Sequence, residues 1–247
     1  MKIQIIPILA LLFLAEYGQA GPPLLTNDTG TPGDGHWEIN AGLSLERSLS
    51  NSQIGLRGPD VNYGLGEKIQ LKFETAWIFN NHGGGEARNG AGNSALGIKW
   101  RFLDEDCLGF ALSVYPQLEF NTASYSVDLG LVDPGTKFIF PFQAERRFGP
   151  LNVHGELGYV FNQEDHNQWL YGLAFGYRTS EVEWVGEIYG TSQSNIDWAN
   201  TGLVFNLGFR WKWNHWIKLN ASAGRSLHPA AGDEKSLISY VGLQFIF

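Results

Sequence analysis

The sequence predicts an all-β protein, a transmembrane antiparallel up-and-down β-barrel of about twelve strands. Three observations lead to this fold class. The chain begins with an export signal, its residues after position 35 alternate between apolar and polar side chains, and its last strand ends on the aromatic Phe247. The composition agrees, with 31 glycines, 14% aromatic residues and a mean hydropathy of −0.16, because barrel strands turn one face to lipid and the other to a polar interior.

Residues 1–20 have the three parts of a secretory signal peptide. Lys2 makes the start basic, and residues 3–15 are almost entirely apolar but too few to span a bilayer as a helix. Gly18 and Ala20 place small residues at the positions that a signal peptidase recognises. We therefore predict cleavage after about Ala20, and the alternative is a permanent N-terminal anchor. No cysteine follows the cleavage site, which argues against a lipoprotein.

The single cysteine, Cys107, and the net charge of −8 exclude two classes of protein. One cysteine cannot form an intrachain disulfide, so a small secreted domain held together by disulfides is excluded. The acidic balance argues against a nucleic-acid partner. The stability of this exported chain must come from packing or from a membrane.

Residues 21–35 join the signal peptide to the first strand and do not have a strand pattern. They contain Pro22, Pro23 and Pro32 among several Gly, Asn, Asp and Thr residues, and proline and glycine oppose a regular strand. We expect an extended N-terminal segment in the periplasm. The alternative, that it enters the mouth of the barrel, stays open.

The barrel is predicted to occupy residues 36–247. In residues 37–46 apolar side chains alternate with polar or small ones, and successive side chains of a strand lie on opposite faces. Alternation of this kind recurs in segments of about ten residues, which is typical of outer-membrane barrels. The predicted strands are 36–47, 54–65, 68–79, 93–103, 107–120, 136–147, 151–162, 168–178, 181–191, 200–213, 216–226 and 236–247.

The connections between these strands alternate in length. The even-numbered ones are tight, as at 65–67 and 148–150, whereas odd-numbered ones such as 80–92 and 121–135 are longer. Outer-membrane barrels have short periplasmic turns and longer outer loops. The alternation therefore predicts an even strand count with both chain termini in the periplasm.

Tryptophans fall near the ends of the predicted strands, where the two membrane interfaces of a barrel carry aromatic rings. The alternative is a soluble sandwich with aromatic residues in its core. A sandwich buries one face of each sheet, however, and here a large apolar face recurs on every strand. The tryptophans concerned are Trp37, Trp77, Trp100, Trp169, Trp184, Trp211 and Trp213.

The last predicted strand places Phe245 and Phe247 on one face and ends on the aromatic residue. This ending resembles the C-terminal signal by which the barrel assembly machinery recognises its outer-membrane clients. The export signal, the alternation and this ending together predict a protein of the outer membrane of a Gram-negative bacterium. Its expected partners are outer-membrane lipid and the barrel assembly machinery.

Two stretches resemble the family named for the MetA pathway of phenol degradation. Thr26 and Asp28, with TPG at 31–33 and WEIN at 37–40, resemble its N-terminal motif. Pro59-Asp60 followed by NYGL at 62–65 resembles its second motif, while Asn27 and Thr29 stand where many members have Asp and Pro. The resemblance implies an outer-membrane barrel with a transporter-like function, and the family name suggests aromatic or other hydrophobic solutes.

The polar face of the strands is expected to line the lumen, and it carries charges of both signs. These side chains either pair across a filled interior or line a narrow path that selects solutes by charge. About eight strands give a filled interior and about sixteen an open channel, so about twelve leave both interpretations open. The predicted lumen-lining residues are Glu38, Lys72, Glu74, Lys99, Arg101, Glu119, Lys137, Glu145, Arg147, His154, Glu156, Arg178, Glu183, Glu187, Arg210, Lys212 and Lys218.

Other chemistry receives little support from the sequence. His154 and Glu156 share the inner face, but barrel phospholipases place a catalytic His and Ser on the outer face, and no nearby Ser has that spacing. The six histidines are scattered, so no metal or cofactor is predicted. An aromatic run at 138–142 is either a hydrophobic ligand site or, as we predict, a lipid-facing strand.

The function predicted from the sequence is passive or facilitated passage of small-molecule solutes across the outer membrane, without enzymatic activity. The main alternative is a closed structural or adhesive barrel whose outer loops bind a partner. A membrane phospholipid hydrolase is the third hypothesis.

Overall fold

The protein is described by a computed structural model that covers residues 21–48, 51–82, 86–195, 198–230 and 235–247. The predicted signal peptide lies outside the described residues. The strands are β1 Trp37–Ser48, β2 Asn51–Leu65, β3 Ile69–His82, β4 Arg88–Ala91, β5 Asn93–Leu103, β6 Ala111–Val114, β7 Gln117–Asn121, β8 Lys137–Phe148, β9 Leu151–Asn162, β10 Gln168–Arg178, β11 Val182–Gln193, β12 Thr201–Lys212, β13 Ile217–His228 and β14 Lys235–Ile246. The short helices are α1 Glu105–Leu108, α2 Ser124–Asp128 and a 3₁₀ turn at Trp198–Asn200.

These strands form one closed antiparallel barrel. β1 pairs with β14 as well as with β2, so the first and last strands join the two edges of the sheet. At the end of this pairing, Trp37 of β1 and Phe247, which follows β14, exchange backbone hydrogen bonds of 3.0 and 3.1 Å. β4 and β5 follow one another in the wall, as do β6 and β7, which gives the 12-strand barrel that the sequence predicted.

Two of the barrel strands are interrupted. The predicted strand 107–120 is wrong at its start, where α1 forms instead, and it breaks into β6 and β7 around Pro116, because proline cannot donate to a β-ladder. The ladder continues around the break, since Tyr115 N–H donates to the Pro141 carbonyl at 3.0 Å. On the neighbouring wall, β4 extends the predicted strand 93–103 towards the longer loops.

A bulge in β2 changes which side chains enter the lumen. The register with β3 shifts between Arg57 and Asp60, across Gly58 and Pro59. An extra residue in one strand reverses the inward and outward alternation beyond it. Ile54 therefore points outward from one side of the bulge, while Asp60 is buried inside on the other.

The faces of the barrel have opposite character. Large apolar side chains such as Leu43, Phe73, Phe140 and Leu173 are 40–61% exposed on the outer surface, where lipid is the expected solvent. The buried positions are mostly polar, and the side chains concerned include Asn40, Asn62, Gln70, Ser113, Gln143, Asn206, Asn220 and Gln244. This inverted pattern is that of a membrane barrel and excludes the soluble sandwich.

No helix in the described part of the chain is long and apolar enough to cross a membrane.

The two ends of the barrel are named here by their connections. The turn end carries the chain termini of the barrel at Trp37 and Phe247 and the connections between β2 and β3, β5 and β6, β8 and β9, β10 and β11, and β12 and β13. The loop end carries most of the longer connections, among them residues 122–136 with α2. The expected alternation of short and long connections has two exceptions. Only residues 49–50 separate β1 from β2 at the loop end, and residues 104–110 with α1 separate β5 from β6 at the turn end.

Candidate functional site

The lumen contains residues 21–32, which we call the lumen segment. Of the two alternatives left open by the sequence, the structure has the segment inside the barrel rather than extended beyond it. It enters at the turn end, where Gly35 N–H donates to the Gly64 carbonyl at 3.0 Å and Thr31 Oγ1 donates to the Glu67 carbonyl at 2.8 Å. A Cβ at Gly64 would collide with the backbone of Gly33, so this close entry requires glycine.

Three glutamates of the wall accept hydrogen bonds from the lumen segment. Glu145 accepts from the Thr29 N–H at 3.0 Å and from its hydroxyl at 2.7 Å. Glu156 accepts from the backbone N–H of Asn27 at 2.9 Å and from its side-chain amide at 3.0 Å. The third glutamate lies two strands further round the wall, beyond β10.

Glu187 on β11 accepts the backbone N–H of Leu25 at 2.9 Å and that of Thr26 at 2.7 Å. Charged acceptors make stronger hydrogen bonds than neutral ones. A segment of irregular backbone satisfies few of its own backbone hydrogen bonds. These carboxylates therefore accept from the N–H groups that the carbonyls of a neighbouring strand would bind in a β-ladder.

Two basic side chains hold the carbonyls of the segment. Lys99, which is fully buried, donates to the carbonyls of Asp28 at 2.9 Å and Gly30 at 3.1 Å. Arg210 donates to the carbonyls of Pro22 at 3.3 Å and Gly21 at 3.1 Å. The wall therefore binds both the N–H and the C=O groups of the segment.

The segment lies over a shallow trough in the wall along β10. Gly172 and Ala174 form the floor of this trough, and they leave room for Thr26 and Leu24. Leu24 packs against Ala174 and Val185, a small apolar contact inside an otherwise polar lumen. A Cβ at Gly172 would lie 2.8 Å from Cγ2 of Thr26 and closer still to its hydroxyl. Thr26 therefore fits at this depth because residue 172 has no side chain.

The predicted lumen-lining charges occupy three kinds of position. The deeply buried ones are Glu38, Lys99, Glu145, His154, Glu156 and Glu187. The half-buried ones are Lys72, Glu74, Arg101, Glu119, Lys137, Glu183, Arg210, Lys212 and Lys218. Arg147 and Arg178 lie in exposed positions near the turn end, with side chains 43% and 41% exposed.

Several of these charges pair with each other. Lys72 contacts Glu74 at 2.7 Å and Asp60 at 3.8 Å. Arg210 contacts Glu183 at 3.1 Å, and Arg147 contacts Glu145 at 3.2 Å. Near the loop end, Lys137 lies 3.5 Å from Glu119. Lys72–Glu74 and Arg147–Glu145 each lie within one strand, and the other pairs join neighbouring strands of the wall.

Sequence reasoning missed Asp60 and the buried amides. Asp60 entered the lumen through the bulge, which no local pattern revealed. The amides could have been found, because Asn40, Gln143 and Asn206 have the same parity as the selected charges. Asn40 bridges two acids, donating to Glu38 at 3.0 Å and to Asp60 at 3.1 Å.

A cavity of about 450 Å³ lies between the lumen segment and the loop end. Its floor includes residues 21–25, and its upper side includes residues 131–133 of the long loop. Polar and apolar groups line the cavity in about equal measure, with Tyr240 as its aromatic side chain. Its charged lining residues are Glu46, Arg57, Asp60, Lys72, Glu74, Glu119 and Asp133. The lumen is therefore open near the loop end, where we call this cavity the antechamber, and filled by the lumen segment near the turn end.

The geometry assembles no catalytic group around His154. Its two ring nitrogens have no hydrogen-bond partner among the described residues. Glu156 is occupied by Asn27 and Gln143. No cluster of three potential metal ligands occurs within the described ranges. Phe138, like the rest of the 138–142 run of phenylalanines, has its ring on the outer surface.

Comparisons with known proteins relate this geometry to porins. The profile of a family described as "Putative MetA-pathway of phenol degradation" matches residues 20–234, and no curated protein matches the chain. A structure of the KdgM porin superposes with a TM-score of 0.57 at 11% identity, covering 85% of this chain and 99% of that chain. The NanC porin gives a TM-score of 0.58 at 12% identity, covering 84% and 98%.

A second KdgM structure, described as a complex with disordered oligogalacturonate, has a TM-score of 0.55 and 11% identity and covers 85% of this chain and 99% of that chain. At these identities the likeness shows the fold, which is that of outer-membrane porins. The family profile spans most of the chain and contains the lumen segment as well as most of the barrel. The chain therefore belongs to the family described as "Putative MetA-pathway of phenol degradation".

Proposed function

We propose that this protein is an outer-membrane channel for small molecules and that its own lumen segment closes it. The observation that carries the proposal is the antechamber of about 450 Å³, which ends on residues 21–25. A polar lumen with a cavity leading inward is suited to passage of solutes, and the segment blocks the remaining path. Passage requires the segment to move away from Glu145, Glu156 and Glu187.

The porin fold and the family support the location of the channel in the outer membrane. We orient the barrel with its turn end in the periplasm and its antechamber towards the outside, because outer-membrane barrels have short periplasmic turns and longer outer loops. The outer apolar surface then lies in lipid. The barrel assembly machinery inserts the chain through its last strand, and the solute is a small molecule. The family description favours aromatic or other hydrophobic compounds, while the lining of the antechamber combines apolar groups with seven charged residues.

A closed structural barrel is the second candidate, and the hydrogen bonds between the segment and three glutamates favour it. The two candidates differ in whether the segment can leave. A reversible covalent lock tests this directly. A Cβ at residue 172 lies 3.1 Å from Cβ of Thr26, and a disulfide needs about 3.8 Å, so a shift of a few tenths of an ångström permits the bond.

The experiment uses Thr26→Cys with Gly172→Cys in a chain that also carries Cys107→Ser. In a planar bilayer, the oxidised protein is expected to give no channel events and the reduced protein to conduct. Each single-cysteine variant, made with Cys107→Ser, is the control and should not respond to oxidation. A reduced protein that is folded, as judged by its gel mobility before and after boiling, yet never conducts would establish the closed barrel instead. Conductance of the oxidised form would show that the lumen segment is not the barrier to passage.

A further inference from the structure

Glu156 and Glu187 differ from the other lumen carboxylates in what neutralises them. Among the described residues, neither has a Lys or Arg nitrogen within 4.0 Å, whereas Glu145 pairs with Arg147 and Asp60 with Lys72. Glu38 also has no such cation, but its donor is Asn40 of the wall. The carboxylates of Glu156 and Glu187 depend instead on the lumen segment.

The wall supplies each of these two carboxylates with one amide donor. Gln143 donates to Glu156 at 3.1 Å, and Asn206 donates to Glu187 at 3.1 Å. The remaining hydrogen bonds come from Leu25, Thr26 and Asn27 of the segment. When the segment leaves, each of the two carboxylates keeps a single neutral hydrogen-bond donor. Lys99, which then loses the carbonyls of Asp28 and Gly30, is the nearest cation that acts on Glu156, whereas Glu187 has no cation of this kind among the described residues. A carboxylate in so confined a place attracts a cation that donates hydrogen bonds.

The trough between these strands has the shape of a binding site. Gly172 is opposite Glu156 in the β9–β10 ladder, and Ala174 is opposite Glu187 in the β10–β11 ladder. Their small size leaves open the space that Thr26 and Leu24 now fill. Beside the acids, Ala174 and Val185 offer a small apolar surface. The wall thus combines carboxylates with a short apolar contact.

The antechamber leads to this trough, and its lining is acidic like the trough itself. Its lining contains five acidic residues, Glu46, Asp60, Glu74, Glu119 and Asp133, against Arg57 and Lys72. Lys137 pairs with Glu119 and Asp133 and offsets part of that excess. Low-dielectric walls of one sign raise the local concentration of ions of the opposite sign.

We propose that the trough between Glu156 and Glu187 is a binding site for small organic cations with N–H donors, alkylammonium or guanidinium in kind. The backbone amides of the lumen segment occupy this site in the closed barrel. The open channel therefore passes cations in preference to anions. This inference rests on the proposed channel function and names its solute class.

The test opens the channel with Gly172→Val and measures the reversal potential in a potassium chloride gradient. The open variant is expected to prefer potassium over chloride, and adding Glu156→Gln and Glu187→Gln should lower that preference by about twofold or more. Glu164→Gln, an exposed loop change, is the matched control and should leave the preference unchanged. Guanidinium is expected to reduce the potassium current of Gly172→Val but not that of the variant lacking both carboxylates.

Preference for chloride, or a preference that survives loss of both carboxylates, would overturn the inference while leaving the channel intact. If Gly172→Val fails to fold, the reduced Thr26→Cys/Gly172→Cys protein serves as the open form. Folded barrels that never conduct would instead overturn the channel function. In that case calorimetric titration of Gly172→Val with guanidinium still decides the site, since binding to this variant must be lost when Glu156→Gln and Glu187→Gln are added.

Discussion

Gly172 of β10 lies directly beneath Thr26 of the lumen segment, so closely that a Cβ at Gly172 would lie 3.1 Å from Cβ of Thr26 and 2.8 Å from its Cγ2. Gly172→Val is therefore expected to push the segment out of the trough. Hydrogen exchange should show it, because the amides of Leu25 and Thr26 are protected only while they donate to Glu187.

We expect those amides to exchange at least about tenfold faster in Gly172→Val, a loss of about 1.4 kcal/mol or more in protection. Gly155→Val is the matched control, since a Cβ there meets only ordinary contacts at 3.5 Å and beyond. Equal protection in the two variants would mean that the position of Thr26 in the lumen does not depend on the space above Gly172.

Lys99 holds two carbonyls of the segment from a position with no solvent exposure. Replacing it by Met leaves the carbonyls of Asp28 and Gly30 without this donor, which costs about 1–3 kcal/mol. We expect faster exchange of the segment amides in Lys99→Met while the barrel still shows its folded gel mobility. Lys137→Met, which removes an ion pair near the loop end, should leave the segment protected. A segment that is equally protected in Lys99→Met would show that its other contacts, including those with the glutamates and Arg210, hold it without Lys99.

The turn between β5 and β6 contains an acid whose titration contributes to stability. The Lys68 ammonium, 2.6 Å from Asp104, holds the pKa of that carboxyl below its usual range, and Arg101 adds to the effect. A lowered pKa stabilises the fold above the unfolded pKa of about 3.9, and this stability is lost as the pH falls through the folded pKa.

Asp104→Asn should therefore lower the urea midpoint in detergent at pH 7, by the equivalent of about 0.2–1 kcal/mol for an exposed pair, and should make no difference in strong acid. Asp106→Asn removes the same charge from α1 and is the control. A deficit that is the same at both pH values would assign the effect to packing rather than to the charge.

Phe247 is expected to act in assembly more than in stability. Its backbone exchanges two hydrogen bonds with Trp37, and these survive Phe247→Ala. Refolding of Phe247→Ala in detergent should match the unchanged protein, while its assembled fraction in cells should fall. Deleting Phe247 removes both hydrogen bonds and should also cost about 1–3 kcal/mol in detergent. Normal assembly of Phe247→Ala in cells would contradict a role in recognition.

The strands were predictable because each one faces lipid on one side and the lumen on the other. β9 and β10 have the predicted bounds, 151–162 and 168–178, and β8 lies within one residue of its prediction. This contrast between two solvents acts on every strand residue, so a period of two in the sequence reports it directly.

The position of the lumen segment was not predictable in the same way. Its hydrogen bonds to the three glutamates join residues separated by 116 to 162 positions, as between Thr29 and Glu145 or Leu25 and Glu187, and no local pattern records such pairs. The charged wall residues could be chosen by parity, but their partners could not. Asp60 shows the remaining limit, because a single bulge reversed the parity on which the selection rested.

The lumen segment remains covalently joined to β1 through residues 33–36, and this tether sets the conditions of competition inside the barrel. A ligand held by a short linker has an effective concentration on the order of millimolar, which dilution of the protein cannot change. A solute that takes its place at Glu156 and Glu187 must therefore outcompete a rival that never diffuses away. Flux should accordingly rise only once the external concentration approaches that internal threshold.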